Sequence, residues 1–143
     1  MTGMATPVMT EPETDTAFVE FVSAVPGFPD ARTWGMEVWG DDPSSPFSVM
    51  RNVETEGLEF VVVSPFVFFP DYEPELDDAT VGSLDLTVAE DAVVLVVLTI
   101  GESIEETTAN LLGPIVINTR NNRAVQAILH QPGLSTKTPL IGS

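Results

Sequence analysis

Beyond residue 16 the chain alternates between short apolar, β-branched stretches and clusters of turn-forming residues. Residues 17–22 lead into Pro26, Gly27, Phe28, Pro29 and Asp30, where proline fixes φ and glycine admits left-handed backbone. In residues 34–39, Trp34, Met36 and Val38 share one face of an extended chain and Glu37 takes the other. A loop over 41–46 separates this stretch from 47–52. A turn at Glu54, Thr55, Glu56 and Gly57 then leads to 58–64, where Leu58, Phe60 and Val62 alternate with Glu59. Pro65 and Pro70 bracket Phe66, Val67, Phe68 and Phe69, which argues against a long regular element there. Residues 71–78 form an acidic loop with room for a helical turn. Leu84, Leu86 and Val88 alternate with Asp85 and Thr87, which predicts a further strand. Residues 93–100 are apolar at nearly every position, the mark of a central strand covered on both faces. Residues 107–118 and 124–130 read as a hairpin joined through Arg120, Asn121, Asn122 and Arg123, since asparagine tolerates positive φ.

Seven to nine short strands without a sustained helical period predict an all-β, single-domain antiparallel barrel or sandwich, with short helical turns at most. Three segments follow: an acidic leader over 1–16 read as disordered, an ordered domain over 17–131, and a turn-rich C-terminal tail over 132–143 expected to pack loosely. Hydrophobic residues make up 43% of the chain, enough for a core. Charge changes the picture most. Twenty-two Asp and Glu stand against five Lys and Arg, a net charge of -17. Such a surface repels nucleic-acid phosphates and anionic membranes and attracts basic proteins over long range. Acidity also serves solubility alone in many proteins, so charge suggests a basic partner without establishing one.

The residues offer little to catalysis. Cysteine is absent, which removes disulfides, thiol nucleophiles and thiolate metal sites. His130 is the only histidine, no G-x-S-x-G elbow or phosphate-binding glycine loop occurs, and the single lysine is Lys137 in the tail. Asp71, Glu73, Glu75 and Asp77 have the spacing of early calcium-loop ligands. The match then fails, because Leu76 stands at the required glycine and Gly82 at the bidentate glutamate. No cofactor or metal is expected. Residues 1–15 lack a basic segment and an apolar segment, and the longest apolar run, 92–98, is far below the roughly 20 residues that span a bilayer. The chain reads as cytoplasmic, soluble and non-enzymatic, the alternative being an acidic β-barrel enzyme or ligand carrier with a carboxylate pair.

Several stretches together carry a resemblance: Val25-Pro26-Gly27-Phe28, residues 58–63, Pro65-Phe66-Val67-Phe68-Phe69-Pro70-Asp71-Tyr72, and Asn110-Leu111-Leu112-Gly113-Pro114-Ile115-Val116-Ile117-Asn118 followed by residues 125–129. In order and spacing the chain resembles the FliW family of flagellar assembly factors over residues 18–129. Ala24, Val25, Pro29 and Ala109 depart from the family's usual pattern. The resemblance implies a small, partly open, mostly antiparallel β-barrel without catalytic activity. It also implies cytoplasmic binding of flagellin as a chaperone and binding of the translational regulator CsrA, whose repression of flagellin synthesis is thereby relieved. Free protein is expected to be monomeric and not to bind nucleic acid directly.

Candidate partner-binding residues follow from charge and motif position. Asp71, Tyr72 and Glu73 are expected to face a basic partner, and Phe68 and Phe69 to supply apolar anchors, suited to an amphipathic helix. Asn110 and Asn118 bracket a strand and either join the partner surface or, more economically, satisfy backbone groups.

Overall fold

The computed structural model describes residues 17–23, 31–38 and 46–140. The leader, the turn at Pro26 and Gly27, Trp39 and the loop at Asp41 and Asp42 lie outside the described residues. Five strands run as an antiparallel meander: β1 (Ala17–Phe21), β2 (Thr33–Val38), β3 (Phe47–Asn52), β4 (Glu59–Val63) and β5 (Ala92–Thr99). The first half of β5 then pairs with β7 (Ile115–Asn118), Ala92 opposite Asn118 and Leu95 opposite Ile115. A hairpin leads to β8 (Arg123–Gln126), which lies parallel to β1 with Phe21 opposite Ala124. That parallel pair joins the two ends of the sheet, so the seven-stranded barrel is closed rather than partly open. The second half of β5 pairs with β6 (Thr108–Ala109), which in turn pairs with β9 (Thr138–Pro139).

Each barrel strand sends at least one side chain inward: Phe21, Trp34, Met50, Val62, Val97, Ile115 and Ala124 meet there. Trp34 is wholly buried, its ring stacked 5.5 Å from Phe60 and tilted 6.1 Å from Phe21. Its indole N–H donates to the Ala31 carbonyl at 3.3 Å, so the one polar atom of the ring is satisfied. Pleating turns the alternate residues outward. Val63, Val96, Leu98 and Val116 thus form a second cluster on the outer face of β4, β5 and β7. The segments after β4 and after β8 wrap over it, contributing Tyr72, Leu84, Leu129 and Leu140. Two-sided burial is why residues 94–98 are apolar throughout, whereas Val93 and Ile100 at the ends of the run are exposed.

Three expectations change. Residues 84–88 do not form a strand. They leave the C-terminus of helix α1 (Asp78–Ser83), where Asp85 adopts φ 55 and the Leu86 N–H bonds to the Val81 carbonyl at 3.1 Å. β5 has both edges occupied at that point, so Leu84 and Leu86 drop onto the outer cluster from a loop instead. Residues 107–118 divide into β6 and β7 because the Asn110 Oδ1 accepts from Leu112 N–H at 3.1 Å and Gly113 N–H at 3.0 Å, forming a turn. The tail beyond residue 132 is held on the barrel through β9, a buried Leu140, and backbone bonds from Leu140 to Thr107 and from Leu111 to Ser135, each 3.0 Å. The β7–β8 hairpin turns at Asn122, which takes the left-handed conformation with φ 60.

Asn118 ties the hairpin to the wrapping segment. Its Nδ2 donates to the buried end of α1, the Leu84 carbonyl, at 2.8 Å, and its Oδ1 accepts from Arg120 N–H at 2.9 Å. Asn121 also donates to the Leu84 carbonyl at 3.1 Å. Asn118→Ala is therefore expected to cost about 1–3 kcal/mol, since the Arg120 N–H loses its acceptor while Leu84 keeps one donor. Asn118→Asp is expected to cost more, because it aims a carboxylate at a carbonyl oxygen. Urea unfolding followed by tryptophan fluorescence, with an unchanged m-value, measures both.

Candidate docking surface

The proline-bracketed aromatic stretch leaves the end of β4 as a single 3-10 turn, Pro65–Val67. Pro65 suits the first helical position, where no backbone N–H is needed. Its carbonyl accepts from Phe68 N–H at 3.2 Å and Phe69 N–H at 2.7 Å, which closes the turn. Phe66 and Val67 are pushed outward, 43% and 56% exposed. Phe68 and Phe69 are half-buried against the outer cluster, and the Phe68 ring lies 5.9 Å from Phe47. The chain then turns inward: Tyr72 is buried, and its hydroxyl donates to the Leu111 carbonyl at 2.7 Å. Phe66 lies 6.0 Å from that ring. Beyond it, Gln131 clamps the loop, donating to the Glu73 carbonyl at 3.1 Å and accepting from Glu75 N–H at 2.6 Å.

Asp71 and Glu73 are exposed on either side of the buried tyrosine. The cations are placed elsewhere. Arg51 bridges Glu37 and Glu59 across β2, β3 and β4 at 2.7 and 3.1 Å, Arg120 lies 3.9 Å from Asp91, and Arg123 pairs with Asp85 at 3.3 Å. None of the ion pairs among the described residues involves a carboxylate between 71 and 78. An exposed apolar turn thus adjoins carboxylates that enter none of the ion pairs among the described residues.

A second concavity of about 630 Å³ lies between residues 75–77 with Thr80 and the chain from Gln126 to Pro132. It gathers Glu75, Asp77 and His130, the nearest approach to a catalytic set. A carboxyl serving as general acid must be held protonated near neutrality. Asp77 is the reverse: hydrogen bonding from Thr80, through its side chain and its backbone N–H, holds the carboxyl below its usual value. Its Oδ1 caps α1 by accepting from Thr80 N–H at 2.8 Å. Among the described residues no group of three or more histidine and acidic side chains is placed to hold a metal ion, and no helix is long and apolar enough to cross a membrane.

The model of the FliW protein family matches residues 4–140. The chain belongs to the FliW family. It is 41% identical over 122 residues to the flagellar assembly factor FliW of Bacillus subtilis (strain 168), covering 85% of this chain and 84% of that relative. The flagellar assembly factor FliW of Bacillus licheniformis is 44% identical over 124 residues, covering 87% and 85%. A crystal structure of the flagellar assembly factor FliW superposes with a TM-score of 0.81 at 34% identity, over 94% of this chain and 91% of that one. The family is thus one of flagellar assembly factors.

Within this FliW fold the candidate residues separate by environment. Asp71 and Glu73 present charge, and Phe68 and Phe69 are half-buried beside the more exposed Phe66 and Val67. Tyr72, Asn110 and Asn118 point their polar atoms into the chain itself, holding the loop, the 110–113 turn and the hairpin. The sequence reading left out one apolar feature, the pair Ile100 and Ile104 beyond β5, 48% and 44% exposed. Their signal was two isoleucines set among Glu102, Glu105 and Glu106.

Burial pushes the Tyr72 hydroxyl from its ordinary 10.0 up to about 12. The fold favours the neutral phenol, so the stabilisation is complete below pH 10. It is lost as pH rises toward 12, because the unfolded chain releases that proton first. At about 1.4 kcal/mol per pH unit the loss reaches about 2–3 kcal/mol. Tyr72→Phe is expected to cost about 1–2 kcal/mol at pH 8, where the Leu111 carbonyl loses its donor, and to flatten the decline above pH 10. Denaturant unfolding across that range, alongside ultraviolet titration of the single tyrosine, measures both.

Proposed function

We propose that this chain is a cytoplasmic, non-catalytic docking protein of flagellar assembly. It binds flagellin as a chaperone-like partner and, when flagellin is exported, captures the RNA-binding regulator CsrA, so that flagellin synthesis follows export. Family membership supports the role in flagellar assembly. The observation that carries the docking reading is the exposed aromatic turn beside Asp71 and Glu73, whose charge no arginine or lysine of the described residues pairs.

Such a surface suits both partners for physical reasons. An RNA-binding regulator carries cationic surface, and complementary charge accelerates the encounter and makes it sensitive to salt. An amphipathic helix of flagellin would lay its apolar stripe on Phe66, Val67 and the half-buried Phe68 and Phe69. Tyr72 and Gln131 hold the loop in one shape, which lowers the entropy lost on binding. The chain itself is monomeric when free, since copies at -17 repel one another.

A pull-down with cognate CsrA and flagellin at low and high salt tests the proposal. Asp71→Lys with Glu73→Lys is expected to weaken CsrA capture roughly ten-fold at low salt and less at high salt. Phe66→Ser with Val67→Ser is expected to weaken flagellin binding by a similar factor. Absence of a CsrA complex at every salt concentration sinks that half of the proposal. A complex indifferent to the charge reversal moves the site off this loop.

A further inference from the structure

The end of β5 runs into a short turn whose shape is fixed by contacts among its own residues. A side chain on Gly101 would bring its Cβ within 2.6 Å of the Glu106 Cβ and 2.7 Å of the Glu106 carbonyl oxygen, so the turn folds flat on a position only glycine fills. The buried Thr107 hydroxyl donates to the Ser103 carbonyl at 3.0 Å and accepts from Gly101 N–H at 3.2 Å. Glu106 N–H bonds to the Ser103 carbonyl at 3.1 Å and Thr107 N–H to the Ile104 carbonyl at 3.2 Å, closing the 3-10 turn Ile104–Glu106.

This turn walls an apolar notch of about 290 Å³. Buried Leu98 and Leu140 floor it, Phe47 forms one wall, and the half-exposed Ile100 and Ile104 stand at its mouth. The Phe47 ring lies 5.9 Å from that of Phe68, so the notch adjoins the aromatic turn. Glu102 lines the notch, Glu105 and Glu106 lie on the turn that walls it, all three are exposed, and none takes part in the ion pairs among the described residues.

Size and charge together select the occupant. The volume lies at the floor of the roughly 300–1,000 Å³ typical of small-molecule sites, which suits a side-chain anchor better than a whole ligand. The carboxylate rim repels phosphates, anionic lipid and a second copy of this acidic chain, and it attracts lysine and arginine. We infer that the notch receives a bulky apolar side chain from a basic amphipathic segment of a partner protein. The inference rests on the docking reading above and adds a second, preformed anchor beside the aromatic turn. The turn needs no reordering to receive its guest, so the apolar contact is not offset by ordering of the loop.

The test is a titration of the ¹⁵N-labelled chain with a synthetic leucine–lysine peptide whose leucines lie on one helical face, followed by amide chemical shifts. A lysine–serine peptide of equal charge serves as the comparison. Shifts are expected to concentrate at Ile100, Gly101, Ser103, Ile104 and Thr107 with the leucine peptide, and to stay small and scattered with the serine peptide. Ile104→Asp and, separately, Ile100→Ser are expected to weaken leucine-peptide binding roughly ten-fold, with the melting temperature little changed because both side chains are half-exposed. Unchanged affinity in both variants, or shifts spread evenly over all acidic surface, overturns the inference. Peptide binding at the notch combined with no capture of CsrA or flagellin upholds it and overturns the partner assignment instead.

Discussion

Burial on both faces of three adjacent strands is the constraint from which the rest of this structure follows. β4, β5 and β7 carry apolar residues inward and outward, so closing the barrel satisfies only half of them. The outward half, Val63, Val96, Leu98 and Val116, must be covered by something else. Each such side chain removed from water is worth about 1.5–3 kcal/mol. That gain draws the connections after β4 and β8, and the tail, across the outer face. The loops are therefore not free excursions between strands. They are a second layer, and what they leave exposed is set by which of their residues were needed to cover the sheet.

Seen this way, the aromatic turn and the acidic loop are one device. Tyr72 and Leu84 are drawn inward, and the residues between and beside them are displaced outward in consequence. Asp71 and Glu73 flank a buried ring and face solvent. Phe66 and Val67 stand out because Phe68, Phe69 and Tyr72 turn in. The basic residues meanwhile match carboxylates on the β2–β4 face and around the β7–β8 hairpin. Exposed pairs of this kind contribute little stability. Their larger effect is on the distribution of charge: Asp85 and Asp91 of the wrapping segment are paired, whereas its carboxylates between 71 and 78 enter none of the ion pairs among the described residues.

Much of this was legible in the sequence where local chemistry decides. Alternation around Trp34 and Glu59 marked β2 and β4, and the doubly apolar run marked β5. The asparagines at 121 and 122 marked the hairpin turn. Alternation misled at Leu84 and Leu86, where two inward leucines separated by a left-handed Asp85 imitate a strand. Nothing local reveals that β5 has no free edge to offer them. Candidate residues showed the same divide. The charge of Asp71 and Glu73 announces itself, but the inward turn of Tyr72 depends on a carbonyl at Leu111, far away in the chain. Ile100 and Ile104 escaped notice because their meaning lies in Phe47 and Leu140, which only the folded sheet brings to them.

The parallel pairing of β1 with β8 has a consequence for how the chain reaches its fold. Phe21 finds Ala124 only after almost every other strand has been made. Contacts so distant in sequence close late and slowly. During synthesis the meander of β1 to β5 emerges first, with two open edges, at β1 and β5, and one uncovered apolar face. Such species aggregate readily. All twenty-two acidic residues lie within the first 106 positions, so the part of the chain that emerges first carries the negative charge that keeps neighbouring copies apart during that interval. The acidity of those residues thus protects the barrel while it is still unfinished.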